Sequence, residues 1–160
     1  MELEELTREN FPKAAMIERG DVPEGFVLTA SEITELMDYG EEHHCIGHMF
    51  LIDLDGRCIG MILIGEALHW PTDPPEVGRE PFYRLMGFVI DRRFRGKGIG
   101  GEAMEKAIAR TCSDFGVRPV VLGCHKDNAR AAAFYERHGF KRTRYMEGDD
   151  IYYLRYPHGA

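Results

Sequence analysis

A single-domain α/β fold, a mixed sheet with helices on both faces, is predicted by three observations. The chain has 160 residues, enough for one domain that removes roughly 70% of its unfolded surface from water. Its 44% hydrophobic and 29% charged residues, with 18 glycines and 8 prolines, exclude coiled-coil, collagen-like and disordered chains. Segments of period two and of helical period follow one another as helical region, hairpin, strand, helix, strand, helix, hairpin, with no repeat or low-complexity linker.

Each element has its own signal. Asn10-Phe11-Pro12 ahead of Ala14, Ala15, Met16 and Ile17 predicts a short helix. Thr29-Ala30-Ser31-Glu32 is a capping box, and Ile33, Leu36, Met37 and Gly40 recur at helical spacing, so a helix runs from about 30 to 42. Residues 46–52 and 57–64 alternate about Asp53-Leu54-Asp55-Gly56, which predicts a hairpin. Residues 65–81 carry Pro71, Pro74, Pro75, Pro81 and the one tryptophan, Trp70, and so form a long loop. Residues 82–90 (PFYRLMGFVI less its proline) are nearly unbroken apolar, the mark of a strand covered on both faces.

Beyond the strand, Ile99, Ala103, Met104, Ala107, Ile108, Cys112 and Phe115 trace one stripe of a helix that Gly116 stops. Residues 119–124 form another buried strand. Asp127-Asn128 then caps a helix whose Ala131, Phe134, Tyr135 and His138 share a face, with Gly139 just past its end. Residues 141–146 and 151–156 about Glu147-Gly148-Asp149-Asp150 read as a second hairpin.

Charge narrows the function. The formal net charge is −7, which argues against nucleic acid as the main partner. Residues 1–44 hold 12 acidic and three basic side chains, a net of −9, so the remaining 116 residues sum to +2. No apolar run approaches the ~20 residues that span a bilayer, and the acidic MELEEL start is no signal peptide; a cytoplasmic protein without membrane association is expected. Cys45, Cys58, Cys112 and Cys124 lack C-x-x-C spacing and read as reduced, mostly core thiols. His43, His44, Cys45 and His48 could suggest zinc, but they straddle a helix-to-strand junction, and no metal is expected.

Asp91-Arg92-Arg93-Phe94-Arg95-Gly96-Lys97-Gly98-Ile99-Gly100-Gly101 joins the apolar strand to a helix start. Its glycines let several N–H groups converge where the helix dipole favours an anion, and its cations exceed Asp91 by three, which suits a diphosphate. A Walker loop fails, because positions 91 and 98 are Asp and Gly. Gly96-x-Gly98-x-x-Gly101 matches the dinucleotide fingerprint, but too little chain follows for a doubly wound sheet.

Arg95-x-x-Gly98-x-Gly100 after an apolar strand, followed by Asn128-x-x-Ala131-x-x-Phe134-Tyr135-x-x-x-Gly139-Phe140, resembles the GNAT superfamily of acetyl-CoA-dependent N-acetyltransferases over residues 45–156. The segments FVIDRRFRGKGIG and NARAAAFYERHGF are also similar to the bacterial diamine and spermidine acetyltransferase branch. The resemblance implies a mixed, mostly antiparallel sheet and acetyl-CoA as cosubstrate. Acetyl-CoA would lie where the central strand splays from the strand at 119–124. Its diphosphate would meet Arg95, Gly96, Lys97, Gly98, Ile99, Gly100 and Gly101; its pantetheine arm would pair with Phe88, Val89 and Ile90 like an added strand; Asn128, with Ala131 and Phe134 behind it, would contact the arm from the far side.

By the same resemblance Tyr135 is the catalytic hydrogen-bond donor to the departing thiolate. Full proton transfer from an ordinary tyrosine to a thiolate is uphill by about 2 kcal/mol, so hydrogen bonding with late transfer is the economical role. Several relatives carry a carboxylate where this sequence has Met86. Glu66, His69, Glu80 and His125 remain base candidates, and water relayed to bulk is a sufficient alternative. The expected reaction is acetyl transfer to a primary amine, most simply a small aliphatic amine or polyamine drawn by the acidic N-terminal region. Transfer to a protein N-terminus, lysine or aminoglycoside, or a silent acyl-CoA-binding module, are the alternatives. A second copy of the chain stays open as a partner.

Overall fold

The computed structural model describes residues 1–20, 22, 29–66, 70–77 and 80–158. In chain order these form β1 (Glu2–Glu5), a 3₁₀ helix (Phe11–Met16), α1 (Ala30–Glu42), β2 (Gly47–Leu54), β3 (Arg57–Glu66), β4 (Tyr83–Ile90), a 3₁₀ turn (Arg92–Phe94), α2 (Ile99–Phe115), β5 (Val120–His125), α3 (Ala129–Arg137), β6 (Lys141–Glu147) and β7 (Asp150–Arg155). The strands make one sheet in the order β1-β2-β3-β4-β5-β7-β6. Every neighbouring pair is antiparallel except β4 with β5.

The pleat of β3 divides the interior. Ile59, Ile62 and Ile64 join Ala103, Met104, Ala107 and Ile108 of α2 on one face, with Phe134 and Tyr135 of α3 packed alongside. Cys58, Met61 and Leu63 join Ile33 of α1 and Ile17 on the other. Each fully buried apolar side chain contributes about 1.5–3 kcal/mol, and only this register buries both sets at once. The expected helices on both faces are therefore present. Gly60 lets β3 and β4 close: a Cβ there would stand 2.4 Å from the Val89 carbonyl oxygen.

The sequence-based boundaries hold to within a residue or two, with two exceptions. The short helix expected after Pro12 is a 3₁₀ helix of six residues, none of them buried, too short to sustain an α-helical face. β1 went unread because Glu2–Glu5 offers a single leucine. It pairs with the outer edge of β2, and its glutamates leave a charged edge that resists further strand addition. Of the expected loop at 65–81, residues 67–69 and 78–79 lie outside the described residues.

Two departures from regularity in β4 matter most. Met61 of β3 faces Val89 and Leu63 faces Met86, so Gly87 and Phe88 together oppose the single Ile62 in a β-bulge. Gly87 has φ +56°, which an L side chain resists. β4 also pairs with β5 at only two positions, Tyr83 opposite Val120 and Arg84 opposite Val121, and the strands then part.

Asp91 secures the end of β4. Its fully buried carboxylate accepts from Glu18 N at 2.9 Å and from Arg93 N, Nε and Nη2 at 2.9, 2.9 and 2.6 Å. These bonds, with the Arg93 guanidinium first, hold its pKa well below the usual aspartate range. Asp91→Ala should lower the unfolding free energy near neutral pH by about 1–3 kcal/mol, because buried N–H donors lose their acceptor. A folded pKa below the unfolded one stabilises above the unfolded value, so the deficit should persist at pH 5 and shrink only as pH falls below the ordinary aspartate range. Urea melts of both proteins across pH check this.

Candidate active site

Where β4 leaves β5 there is a cleft of about 400 Å³. One wall is β4 from Arg84 to Phe88; the other is Leu122 and Gly123 of β5 with Tyr135 of α3. Met86, Gly87 and Phe88 are half-buried while the residues on either side of them are buried, as expected for a strand uncovered along part of one edge. Glu32, Trp70, and Glu147, Gly148, Asp150 and Tyr152 of the last hairpin close the far end.

The glycine-rich turn lies immediately beyond β4. Gly96 and Gly98 have φ +75° and +80°, and a Cβ on either would meet nothing within 4 Å. Both need glycine for backbone conformation, and both face open space. Gly98 is the N-cap of α2, so the N–H groups of Ile99, Gly100 and Gly101 begin a 17-residue helix without carbonyl partners one turn back. Arg93 is drawn to Asp91, and Arg92, Arg95 and Lys97 add positive charge to the turn. This is an open, positively polarised cradle of main-chain donors.

Gly100 and Gly101 serve packing. A Cβ on Gly101 would stand 2.5 Å from the His138 ring, and one on Gly100 would be 3.4 Å from Ile90 and 3.7 Å from Phe134. Phe134 in turn stands 5.8 Å from the Phe88 ring. Cradle and cleft therefore share one wall.

Tyr135 is half-buried, and its hydroxyl makes no hydrogen bond to a described residue. Burial, then the charge of a Cys124 thiolate, raises its pKa above the ordinary tyrosine value. Burial pushes the Cys124 thiol itself up to about 11. Tyr135 thus stays a neutral donor over any working pH.

At the opposite end the buried Arg84 and Asp73 form an ion pair at 2.8 Å, with side chains 4% and 3% exposed. The Arg84 guanidinium lies 4.1 Å from the Trp70 ring and also faces Phe82 and Tyr152. Asp73 Oδ2 accepts from Trp70 N at 2.7 Å, so the loop is strapped to β4 beside the cleft. With Asp73 neutralising Arg84, the carboxylates of Glu32, Glu147 and Asp150 make the described lining of the cleft acidic.

A model of the acetyltransferase (GNAT) family matches residues 2–140. The chain belongs to that family. It is an N-acetyltransferase whose cosubstrate is acetyl-CoA. Among solved structures it is similar to a PaiA N-acetyltransferase of Thermoplasma acidophilum in complex with coenzyme A, at 15% identity, 98% coverage of each chain and TM-score 0.68. It is also similar to an N-acetyltransferase of Staphylococcus aureus Mu50 (16%, 97% of each, 0.65) and to a ribosomal-protein-alanine N-acetyltransferase of Brucella melitensis (13%, 98% of this chain and 100% of that one, 0.66). At these identities the likeness is one of fold. No curated protein matches the sequence significantly.

Set on this GNAT fold, the expected site residues divide. Phe88, Gly96, Lys97, Gly98 and Tyr135 face the cleft or the cradle. The Ile90 carbonyl accepts from Arg95 Nε at 2.8 Å, so Arg95 ties the cradle to the end of β4. Val89 is paired with Met61 of β3 and its side chain is buried in the α1-side core, turned from the cleft. Ala131 and Phe134 pack on the main core. Asn128 Oδ1 caps α3 by accepting from Ala131 N at 3.2 Å, which leaves its NH₂ for any outward contact.

The described base candidates, Glu66, Glu80 and His125, are not among the residues that line the cleft. Glu66 is paired with Arg118 at 3.2 Å, Glu80 is exposed, His125 Nδ1 accepts from Asp127 N at 3.2 Å, and His69 lies outside the described residues. Among the described residues, the N-terminal acidity reaches the cleft through Glu32, while Asp38 and Glu41 pair with Arg8, and Glu4 with Lys13, on solvated faces. His48 sits between Glu5 and Asp114. Sequence reasoning missed Asp150, Glu147, Trp70 and the Arg84–Asp73 pair; the cluster of acids at the last turn was the available signal.

Asp73→Ala leaves the buried Arg84 charge uncompensated and should cost about 3–5 kcal/mol. Trp70, the sole tryptophan and already 43% exposed, would lose the Asp73 acceptor of its backbone N–H and become more exposed. Chemical denaturation followed by tryptophan fluorescence should show both the lowered midpoint and a red-shifted native spectrum.

Proposed function

We propose that this acetyltransferase acts on a cationic small aliphatic amine, polyamines among them, in a ternary complex with acetyl-CoA. The observation that carries the reading is the charge of the cleft: among the described residues that line it, three carboxylates, Glu32, Glu147 and Asp150, stand against one arginine already neutralised by Asp73. Such a lining attracts an ammonium group and repels carboxylate or phosphate acceptors. A cytoplasmic setting belongs to the same reading.

In it, the cradle from Arg95 to Gly101 holds the diphosphate through main-chain N–H groups and the α2 dipole, supported by the open space at Gly96 and Gly98. The bulged edge at Gly87 and Phe88 takes the pantetheine arm, and the Asn128 NH₂ can reach it from the α3 side. When bound, acetyl-CoA supplies a thioester whose carbon accepts the amine and whose thiol leaves. Tyr135 stays neutral and donates its hydroxyl hydrogen bond to sulfur as charge develops there. Its raised pKa makes early proton release unfavourable, so the bond strengthens only as the thiolate forms.

Two measurements test the reading. Thiol release from acetyl-CoA with spermidine, 1,4-diaminobutane and aspartate as acceptors should favour the two cations, with kcat/KM falling as salt rises; a preferred anionic acceptor, or rates indifferent to salt, contradicts it. Tyr135→Phe should lower kcat by about 10-fold or more while each KM changes little. Wild-type turnover in that variant removes Tyr135 from the chemistry.

A further inference from the structure

We propose that Asp150 is the catalytic base of this enzyme, taking the proton of the acceptor ammonium from across the cleft that Tyr135 lines. The inference rests on the functional reading above and adds to it a residue for the step that Met86 leaves without a β4 carboxylate.

Geometry singles out Asp150. It is the first residue of β7, directly opposite His125 of β5 and Glu147 of β6. Its side chain lies across Gly123: a Cβ added there would be 3.4 Å from both Asp150 Cβ and Oδ2. Because Gly123 has no side chain, the carboxylate reaches the cleft through the gap between the parted strands, and both residues line it with Tyr135. Asp150 is half-buried, yet its carboxylate makes no hydrogen bond or ion pair with any described residue. The other two carboxylates are engaged: Glu147 accepts the Tyr152 hydroxyl at 2.7 Å, and Glu32 closes the capping box of α1. A half-buried carboxylate with no partner is costly unless a ligand supplies one.

The surroundings suit a base. Burial first, then Glu147 of β6 and Asp149 of the turn, raise the pKa of Asp150, while His125 of β5 opposes them. Lys126 is occupied by Asp149 at 2.8 Å and Arg84 of β4 by Asp73, so neither cation cancels the effect. An ordinary aliphatic ammonium and an ordinary aspartate differ by about 6.5 pKa units. Burial narrows that gap from both ends, raising the acid and lowering the ammonium.

The protons balance. The ammonium nitrogen gives one proton to Asp150, then bonds to the acetyl carbon as the carbon–sulfur bond breaks. Its second proton is lost as the amide forms and is matched by the proton that sulfur gains through Tyr135, leaving neutral thiol. Asp150 returns its proton to solvent through the open cleft, the single proton released per turnover.

The test compares wild type with Asp150→Asn, Asp150→Ser and Asp150→Glu, using 1,4-diaminobutane and the more acidic ammonium of glycinamide. All should bind acetyl-CoA as wild type does in calorimetry. Asp150→Asn and Asp150→Ser should lose about 10²- to 10⁴-fold in kcat, with part restored in Asp150→Glu and by formate added to Asp150→Ser. The acid limb of kcat/KM should sit at the same pH for both amines in wild type and follow the amine in Asp150→Asn. A raised folded pKa makes stability fall as pH climbs through the window above the ordinary aspartate value. Asp150→Asn should therefore melt no lower than wild type at neutral pH, by a margin that grows from acid to neutral. Unchanged kcat in Asp150→Asn, or a wild-type limb that follows the amine, overturns the role of Asp150 alone. A wild type that acetylates neither amine overturns the functional reading with it.

Discussion

Everything about the site depends on β4 being unable to pair with β5 beyond Arg84. A parallel ladder continued along Met86, Gly87 and Phe88 would satisfy its own backbone groups and close the sheet. The bulge opposite Ile62, made possible by the left-handed Gly87, bends β4 away, and those backbone groups are left for water or for a ligand that can act as a strand. β4 can carry this irregularity because its other edge is paired to β3 on both sides of the bulge, with Gly60 letting the two backbones approach, and because Asp91 fixes its end. The open edge and the N-terminus of α2 then emerge on the same side, so a thioester arm and a diphosphate can be held by one continuous surface.

The glycine-rich turn does two jobs that one motif conceals. Gly96 and Gly98 face open space in conformations that other residues resist, whereas Gly100 and Gly101 admit Ile90, Phe134 and His138 against the first turn of α2. Substituting the first pair alters the cradle, and substituting the second pair alters how α2 sits on the sheet. The local cations divide likewise, with Arg93 used by Asp91 and Arg95 by the Ile90 carbonyl. Main-chain donors are thus the constant part of the cradle.

Local physics was legible in the sequence and non-local geometry was not. The capping box at Thr29 and Glu32 marked the start of α1, Asp55-Gly56 marked a turn whose two residues both have positive φ, and Gly98 and Gly116 bracketed α2. The cradle was readable for the same reason, since strand, glycines and helix are contiguous. Tyr135, which lines the cleft, was singled out through the family resemblance, because a tyrosine on a buried helical stripe looks like any core aromatic. Asp150 had no such resemblance, only the run of acids at the last turn. It is brought to the cleft by β7 inserting between β5 and β6, and it is visible there only through Gly123. Trp70 and Asp73 are likewise defined by Arg84, eleven residues past Asp73. β1 escaped notice because an edge strand of alternating glutamate follows no core pattern.

The central claim is that the parted edge of β4 and the first turn of α2 form one surface for the acetyl donor. Amide hydrogen exchange of the enzyme with and without coenzyme A tests it residue by residue. The account predicts slowed exchange at Phe88 and from Gly96 to Gly101, with little change in β2 and β3, whose amides are already paired. Protection confined to other segments, with Phe88 and the glycine-rich turn exchanging as in the free enzyme, would contradict it.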